Sequence, residues 1–402
     1  MEQSIKESLS RESLLKDSGA VRLSLGIFAW NEERAIQAAL ESLFNQSLFR
    51  EFAARQNVCE IICLANGCTD HTAEVTGRIF EQQRREHLSA DILTLKVANI
   101  PERGKNNAWN RFVHELSAPE ASILFMMDAD ILIHQRETLW LMLQKLESCA
   151  EAHIVVDRPC KDLAFKRRKT MVERLSLAAA QTTRAGDGQL CAQLYGIRAE
   201  TARNIYLPRD LAACEDGFIK SLACTDFLAH EVWLRRIAKA DGAEHTFEAY
   251  TSFASLLKNQ KRQALGQTIV HVLVDRELKS WPLEKRLRMG ETLRLKDAAD
   301  TQWLKRLLAE HLTRVRWFWR LYPDLLTQRF RWLARLNWPE RLLCLPAAAV
   351  GCCGTLLGAW LAFRALKQGC TNYWPKAKRI GFERALLTKD LIQSNTLAKT
   401  GK

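Results

Sequence analysis

Asp128 and Asp130 stand two residues apart at the end of an apolar run, ILFMM, and give the plainest chemical signal in the chain. Two carboxylates at i and i+2 on a strand end can share one hard divalent cation, and oxygen ligands favour Mg2+ or Mn2+. Such an ion also binds a diphosphate and neutralises the charge that builds on it as it leaves. The plain alternative is a solvated strand-to-helix turn, with Asp130 capping the next segment. Three more polar segments come directly after strand-like runs: Trp30–Glu33, Asn66–Asp70 and Arg103–Asn110.

Elements that would position these segments are legible as hydrophobic patterns. Val21–Ala29, Val58–Asn66, Ile92–Ala98, Ser122–Asp130 and His153–Asp157 read as short buried strands. Between them Glu32–Ser47, Asp70–Leu88, Lys105–Leu116 and Glu137–Ala150 carry helical periodicity. That alternation predicts a mainly parallel sheet covered on both faces, with ligands beyond the C-terminal ends of its strands. All four polar segments fall there. After Cys160 the pattern loosens: a basic stretch, KDLAFKRRK, leads a helix-like segment ending near Arg184. Next come a strand-like Ala192–Arg198, the loop LPRDLAACEDG, and helical patterns at Gly217–Cys224 and Ser252–Leu273.

The motifs on this frame resemble a known family. LGIFAWNEERAIQAALESLFNQ is similar to the opening strand, "xNEE" turn and helix of family 2 glycosyltransferases. CEIICLANGCTDHTAEV resembles that family's second strand and "DDGSTDxT" loop, RGKNNAWNRF its "GKxxAxN" segment, and FMMDADI its DxD strand. The four come in the family's order, and the resemblance covers about residues 21–275. It implies a GT-A fold, a Rossmann-like mixed α/β sheet over 21–280. The donor half would be 21–130 and the acceptor half 131–280. It also implies a nucleotide-diphosphate sugar as donor, with Mg2+ or Mn2+ held by Asp128 and Asp130. Asn31 and Glu32 match the turn that lines the nucleoside. Lys105 matches a lysine near the donor, where an ammonium can hold ribose or phosphate. Asn110 is expected to cap or brace its own helix, and Asp70 to cap the helix after it.

Glu215-Asp216 resembles the family's "ED" motif, and Asp216 matches the base that takes the proton of the attacking hydroxyl. Attack opposite the leaving diphosphate inverts the anomeric centre. The alternative is a helix N-terminus with acidic first-turn residues. Two departures matter. Ala65 and Asn66 replace paired aspartates; an amide at Asn66 can still bond a base, but which base stays open. Asn259-Gln260-Lys261-Arg262-Gln263 replaces "QxxRW", keeping the arginine as Arg262 and losing the Trp, which argues for single-sugar transfer. His245 and Glu248 are expected to be structural, and Lys166–Lys169 a solvated helix face.

Charge is concentrated at the C-terminal end. The chain is +13 overall, and residues 281–402 hold 23 Lys/Arg against 9 Asp/Glu. The stretch 281–341 contains six of the twelve tryptophans on basic, helix-patterned sequence, and 342–363 runs 22 residues without a charge. Basic Trp-rich helices suit a lipid headgroup layer; an ordinary helical subdomain with Trp in its core is the alternative. Basic flanks on both sides of 342–363, the second being the tail 364–402, favour an in-plane or re-entrant segment over a span. The polar N-terminal tail, 1–20, is unlike a signal peptide. Twelve cysteines without a CxxC pair or zinc spacing then read as reduced thiols. The expected place is the cytoplasmic face of the inner membrane, with a lipid-linked or envelope glycan acceptor, an anionic membrane partner and no nucleic acid. No GxGxxG stands after an early strand, which excludes an NAD-binding enzyme. A nucleotidyltransferase would carry a Gly-rich loop where AWNEER stands. A catalytically silent lipid- or RNA-binding protein on the same sheet is the remaining alternative.

Overall fold

The computed structural model describes residues 22–86, 92–166, 169, 173, 188–211, 214–250, 252–315, 317–318, 334 and 337–369. Its centre is an eight-stranded sheet in the order β3-β2-β1-β4-β7-β6-β8-β5. The strands are β1 (Arg22–Ala29), β2 (Val58–Asn66), β3 (Leu93–Ile100), β4 (Ile123–Asp128), β5 (Ile131–Leu132), β6 (Ile154–Lys161), β7 (Leu194–Arg198) and β8 (Ile237–Phe247). β3, β2, β1 and β4 are parallel neighbours. β7 runs antiparallel between β4 and β6, and β5 pairs antiparallel with β8. The sheet is therefore mixed, of the GT-A kind. β1 and β2 are buried on both faces, which is why they read as continuous apolar runs.

Side chains of successive residues pass to opposite faces and build two cores. Leu23, Leu25, Ile27, Phe125 and Met127 meet α1 (Ile36–Phe44), α2 (Leu48–Arg55), α3 (Thr72–Glu86) and α5 (Thr138–Ser148). Leu124, Met126, Tyr195 and Ile197 face the other way, toward α4 (Lys105–Arg111), whose last residue leads into a π-turn over Phe112–Leu116. The same second core holds α6 (Ala199–Arg203), α7 (Glu215–Ala223) and α8 (Phe253–Val272).

That second core does not stop at residue 280. After the short α9 (Leu283–Leu287), Met289 and Leu293 of α10 (Met289–Ala299) join it. So do Leu304, Leu308 and Leu312 of α11 (Trp303–Arg314), and Ala359 and Ala362 of α12 (Trp338–Lys367). Trp303 is buried and donates its indole N–H to Asp297, so part of the Trp-rich region is core. Trp338 and Trp317 are exposed, so part is not. Residues 342–363 lie within α12. Among the described residues no helix is long and apolar enough to cross a membrane.

Several expected elements differ in detail. The helix predicted from Glu32 begins at Ile36, because Asn31 takes a left-handed turn (φ 56°) and Glu32–Ala35 form the bend. β8 and α2 stand where the sequence pattern suggests nothing regular. β8 reads IAKADGAEHTF; its polar residues and Gly242, at φ 81°, break the apolar alternation. The basic segment after Lys166 lies mostly outside the described residues, as do the tails 1–20 and 370–402.

Candidate active site

Two hairpin-like loops at the ends of β1 and β2 are stapled to one another. Asn31 Oδ1 accepts from the Thr69 amide at 2.7 Å, and the Glu32 amide donates to Thr72 Oγ1 at 2.8 Å. Asp70 Oδ1 accepts from the Thr72 amide at 3.1 Å at the start of α3, while its Oδ2 takes the Glu33 amide at 3.2 Å. Asp70 is thus the cap the sequence predicts, and a clip between the two loops as well. Asn66, buried at the end of β2, accepts the Gly104 amide at 3.1 Å and so fixes the entry to α4. The turn between them needs a glycine: Gly67 has φ +61°, and an added Cβ would stand 2.8 Å from the Arg103 Cβ. The Arg103 guanidinium lies 3.7 Å above the Trp30 ring at the rim of this floor.

Lys105, the first residue of α4, joins the end of β4 to the start of α7. Its ammonium lies 2.7 Å from Asp128 Oδ1 and 3.1 Å from Glu215 Oε1, and donates to the Ala192 carbonyl at 3.3 Å. Burial works against a charge here, but the two carboxylates outweigh it and Lys105 is held protonated well above the usual lysine range. Asp128 shows the complementary effect. Burial raises it, Lys105 pulls it back, Asp130 and Glu215 push it up again, and it ends at about 7. Asp130 is raised too, by burial first, with Lys105 and His245 opposing.

Glu215 and Asp216 open α7. Burial raises Glu215, but Lys105, its own backbone amide and Arg262 more than offset this, and it sits below the usual carboxylate range. Asp216 is raised by burial and by the neighbouring Glu215 charge, and its Oδ1 accepts the Gly217 amide at 2.7 Å. Both the helix-start reading and the proton-acceptor reading are therefore physically compatible: the acids begin a helix and share one charge network with Asp128. Arg262, on α8, belongs to that network. Its Nη2 donates to Asn259 Oδ1 at 3.3 Å, so one replacement in the "QxxRW" segment braces the arginine. Its Nε is buried without a hydrogen-bond partner.

The carboxylates fit a divalent ion in one specific sense. Asp128 and Asp130 supply hard oxygen donors, and burial raises both carboxyls, a cost of ionisation that a cation would relieve. No group of three or more His, Cys, Asp or Glu side chains converges among the described residues. Phosphate and water oxygens would complete such a shell, as is usual for Mg2+.

Residues singled out beyond this network take structural places. Asn110 accepts the Leu207 amide at 2.9 Å and donates to the Leu207 carbonyl at 2.8 Å. It braces the loop before α7 and not its own helix, because its side chain points across the second core. His245 is fully buried against Asp157, 2.7 Å away, a pair that the sequence could reveal only if β8 were recognised. Burial lowers His245, but Asp157 wins and raises it to about 10. A histidine raised above its unfolded value of about 6.5 stabilises fully below that value and loses the contribution as pH climbs through about 10. Unfolding free energy should fall by up to about 1.4 kcal/mol per pH unit across that window. Urea titrations of wild type and Asp157→Asn check this: the variant should lose the slope, and equal slopes would exclude the pair as its source. Lys166 pairs with Glu173 at 2.6 Å, and Glu248 is half-buried. The ten cysteines of the described residues are all free thiols.

Residues 24–197 match the family model described as glycosyl transferase family 2. No curated protein sequence matches the chain. Among solved structures, S. aureus TarS 1–349 is similar over 87% of this chain and 92% of its own, at 14% identity and a TM-score of 0.42. Glucosyl-3-phosphoglycerate synthase from Mycobacterium tuberculosis, crystallised with Mn2+, UDP-glucose and phosphoglyceric acid, is similar over 70% of this chain and 81% of its own. Its identity is 16% and its TM-score 0.36. Asn31, Glu32, Asn66, Lys105, Asp128 and Asp130 all lie within residues 24–197, the part of the chain that is similar to glycosyl transferase family 2.

Proposed function

We propose that the chain is an inverting, metal-dependent glycosyltransferase that moves one sugar from a nucleotide-diphosphate donor to a lipid-linked or envelope glycan acceptor. The observation that supports this reading is the pair of ion contacts from Lys105 to Asp128 and to Glu215, which ties the residue before Asp216 to the DxD strand. Asn31, Glu32 and Asn66 line the nucleoside side. Asp128 and Asp130 would hold Mg2+ or Mn2+, which supplies charge neutralisation on the diphosphate. Lys105 and Arg262 add fixed positive charge around the same phosphates. Asp216, with its raised proton affinity, takes the proton of the acceptor hydroxyl as that oxygen attacks the anomeric carbon. The working place is the cytoplasmic face of the inner membrane, on the strength of the basic C-terminal third.

A panel of nucleotide sugars and nucleoside diphosphates, read by thermal shift with and without Mn2+, tests the donor site. Wild type should be stabilised by one base series only when the ion is present, and Asp130→Asn should lose that shift. A folded wild type that responds to none of them would favour the silent binding protein.

A further inference from the structure

Helix α12 has two faces of opposite kind. Thr355, Ala359, Ala362 and Ala365 are buried, and a Cβ at Gly358 would stand 2.8 Å from the Gln260 Cβ on α8. Thr355 Oγ1 also donates to Gln260 Oε1 at 3.3 Å. This face of small residues lets the two helices approach closely. On the other face Trp338, Leu342, Leu345, Leu356 and Trp360 are exposed by 71%, 54%, 51%, 37% and 38%. Their spacing at about 100° per residue keeps them in one stripe, about 33 Å long. Exposed Ala349 and Cys353 lie between Leu345 and Leu356 on the same side, and an apolar stripe of that length on a surface marks a contact with something apolar.

The charges at its end say what that something is. The Arg364 guanidinium lies 5.0 Å over the Trp360 ring, and the Lys367 ammonium 4.7 Å over Phe363. With Trp317 they line an open cleft of about 420 Å³. Rings at an apolar boundary with cations just beyond them suit the interface of an anionic bilayer. The basic tail follows Lys367 in the sequence.

We propose that α12 lies in the plane of an anionic bilayer, its Trp338–Trp360 stripe in the acyl boundary and Arg364 and Lys367 on lipid phosphates. This deepens, and rests on, the reading of a membrane-linked acceptor. A crossing orientation conflicts with the packing: the opposite face is committed to α8, whose Lys258, Lys261 and Arg262 would have to enter the hydrocarbon with it. Gln260, the contact point, is two residues from Arg262. The seat is therefore one helix removed from the acceptor side of the site, where a lipid-borne hydroxyl would arrive.

Flotation of the full chain with phosphatidylcholine vesicles, with and without phosphatidylglycerol, tests this. Wild type should bind the anionic vesicles, and Leu345→Glu with Leu356→Glu should reduce that binding at least tenfold. Arg364→Gln with Lys367→Gln should remove the preference for phosphatidylglycerol and leave the weaker binding to phosphatidylcholine. A Glu variant that floats like wild type overturns the seat. So does a wild type that forms lipid-independent dimers which the Glu variant dissociates, since the stripe would then join two copies. The nucleotide-sugar thermal shift is measured on every variant. Its persistence shows that the fold and donor site are intact, and its absence from wild type is a failure of the enzymatic reading instead.

Discussion

Asp216→Asn should lower the turnover of sugar transfer about a thousandfold, within the range that a positioned general base contributes. The substitution is nearly isosteric, and the asparagine oxygen can still accept the Gly217 amide that Asp216 Oδ1 now holds at 2.7 Å. The start of α7 should therefore survive, and the donor-induced thermal shift should stay within a few-fold of wild type. A second readout separates chemistry from structure. Because burial and Glu215 raise Asp216, the acid limb of the wild-type rate profile should lie above the ordinary carboxylate range, about pH 4. That limb should vanish from the residual activity of the variant. A turnover loss below tenfold would transfer the role to another carboxylate. Lost donor binding would instead make Asp216 a structural cap.

Lys105→Met should be the most damaging single change to stability. It removes the one ammonium between Asp128 and Glu215 and leaves two buried carboxylates facing each other. Breaking a buried pair in this way costs about 3–5 kcal/mol. The sign of the pH dependence identifies the cause. Lys105 itself is raised, so its contribution is fully present below the unfolded lysine value of about 10.4, that is, throughout the usable range. In the variant, the orphaned carboxyls would be raised above their unfolded values. They would then take up protons on folding, so the variant regains stability as pH falls from about 8 toward about 5. Denaturant unfolding in the presence of EDTA measures this. A deficit that stays constant with pH would mean that Lys105 acts through packing alone.

The donor half is legible in the sequence because its signals are local. β1, β2 and β4 are buried on both faces and read as apolar runs, and each ends in a short polar segment that the parallel topology gathers. Asp128, Asp130 and Lys105 can be named from such runs and their motifs. What joins them cannot. Glu215 is 110 positions from Lys105, and only the packing of α4 against the loop before α7 brings them to 3.1 Å. The His245–Asp157 pair is hidden for a related reason: its strand, β8, alternates polar and small residues around Gly242 and carries no clear period. Asn110 shows the same limit on a smaller scale. Its type suggests a local brace, and the actual partner, Leu207, lies 97 positions away.

The shared second core has a consequence for dissection of the protein. Asp297 on α10 accepts from the Tyr206 hydroxyl at 3.3 Å, the Arg209 amide at 3.1 Å and the Trp303 indole at 2.9 Å. It thus fastens the segment leading to Glu215 and Asp216 to the C-terminal helices. Gly290 also packs directly on the Asn204 backbone, with 2.9 Å left for a Cβ. A cut at residue 280 would strip the cover from Leu265, Ile269 and Leu273 and loosen the segment that leads to Glu215 and Asp216. The sheet domain and the C-terminal helices therefore share one core and are not separable at residue 280. If α12 sits on a bilayer as proposed, a form that stays off membranes is better sought by recolouring the outer stripe of α12 than by shortening the chain.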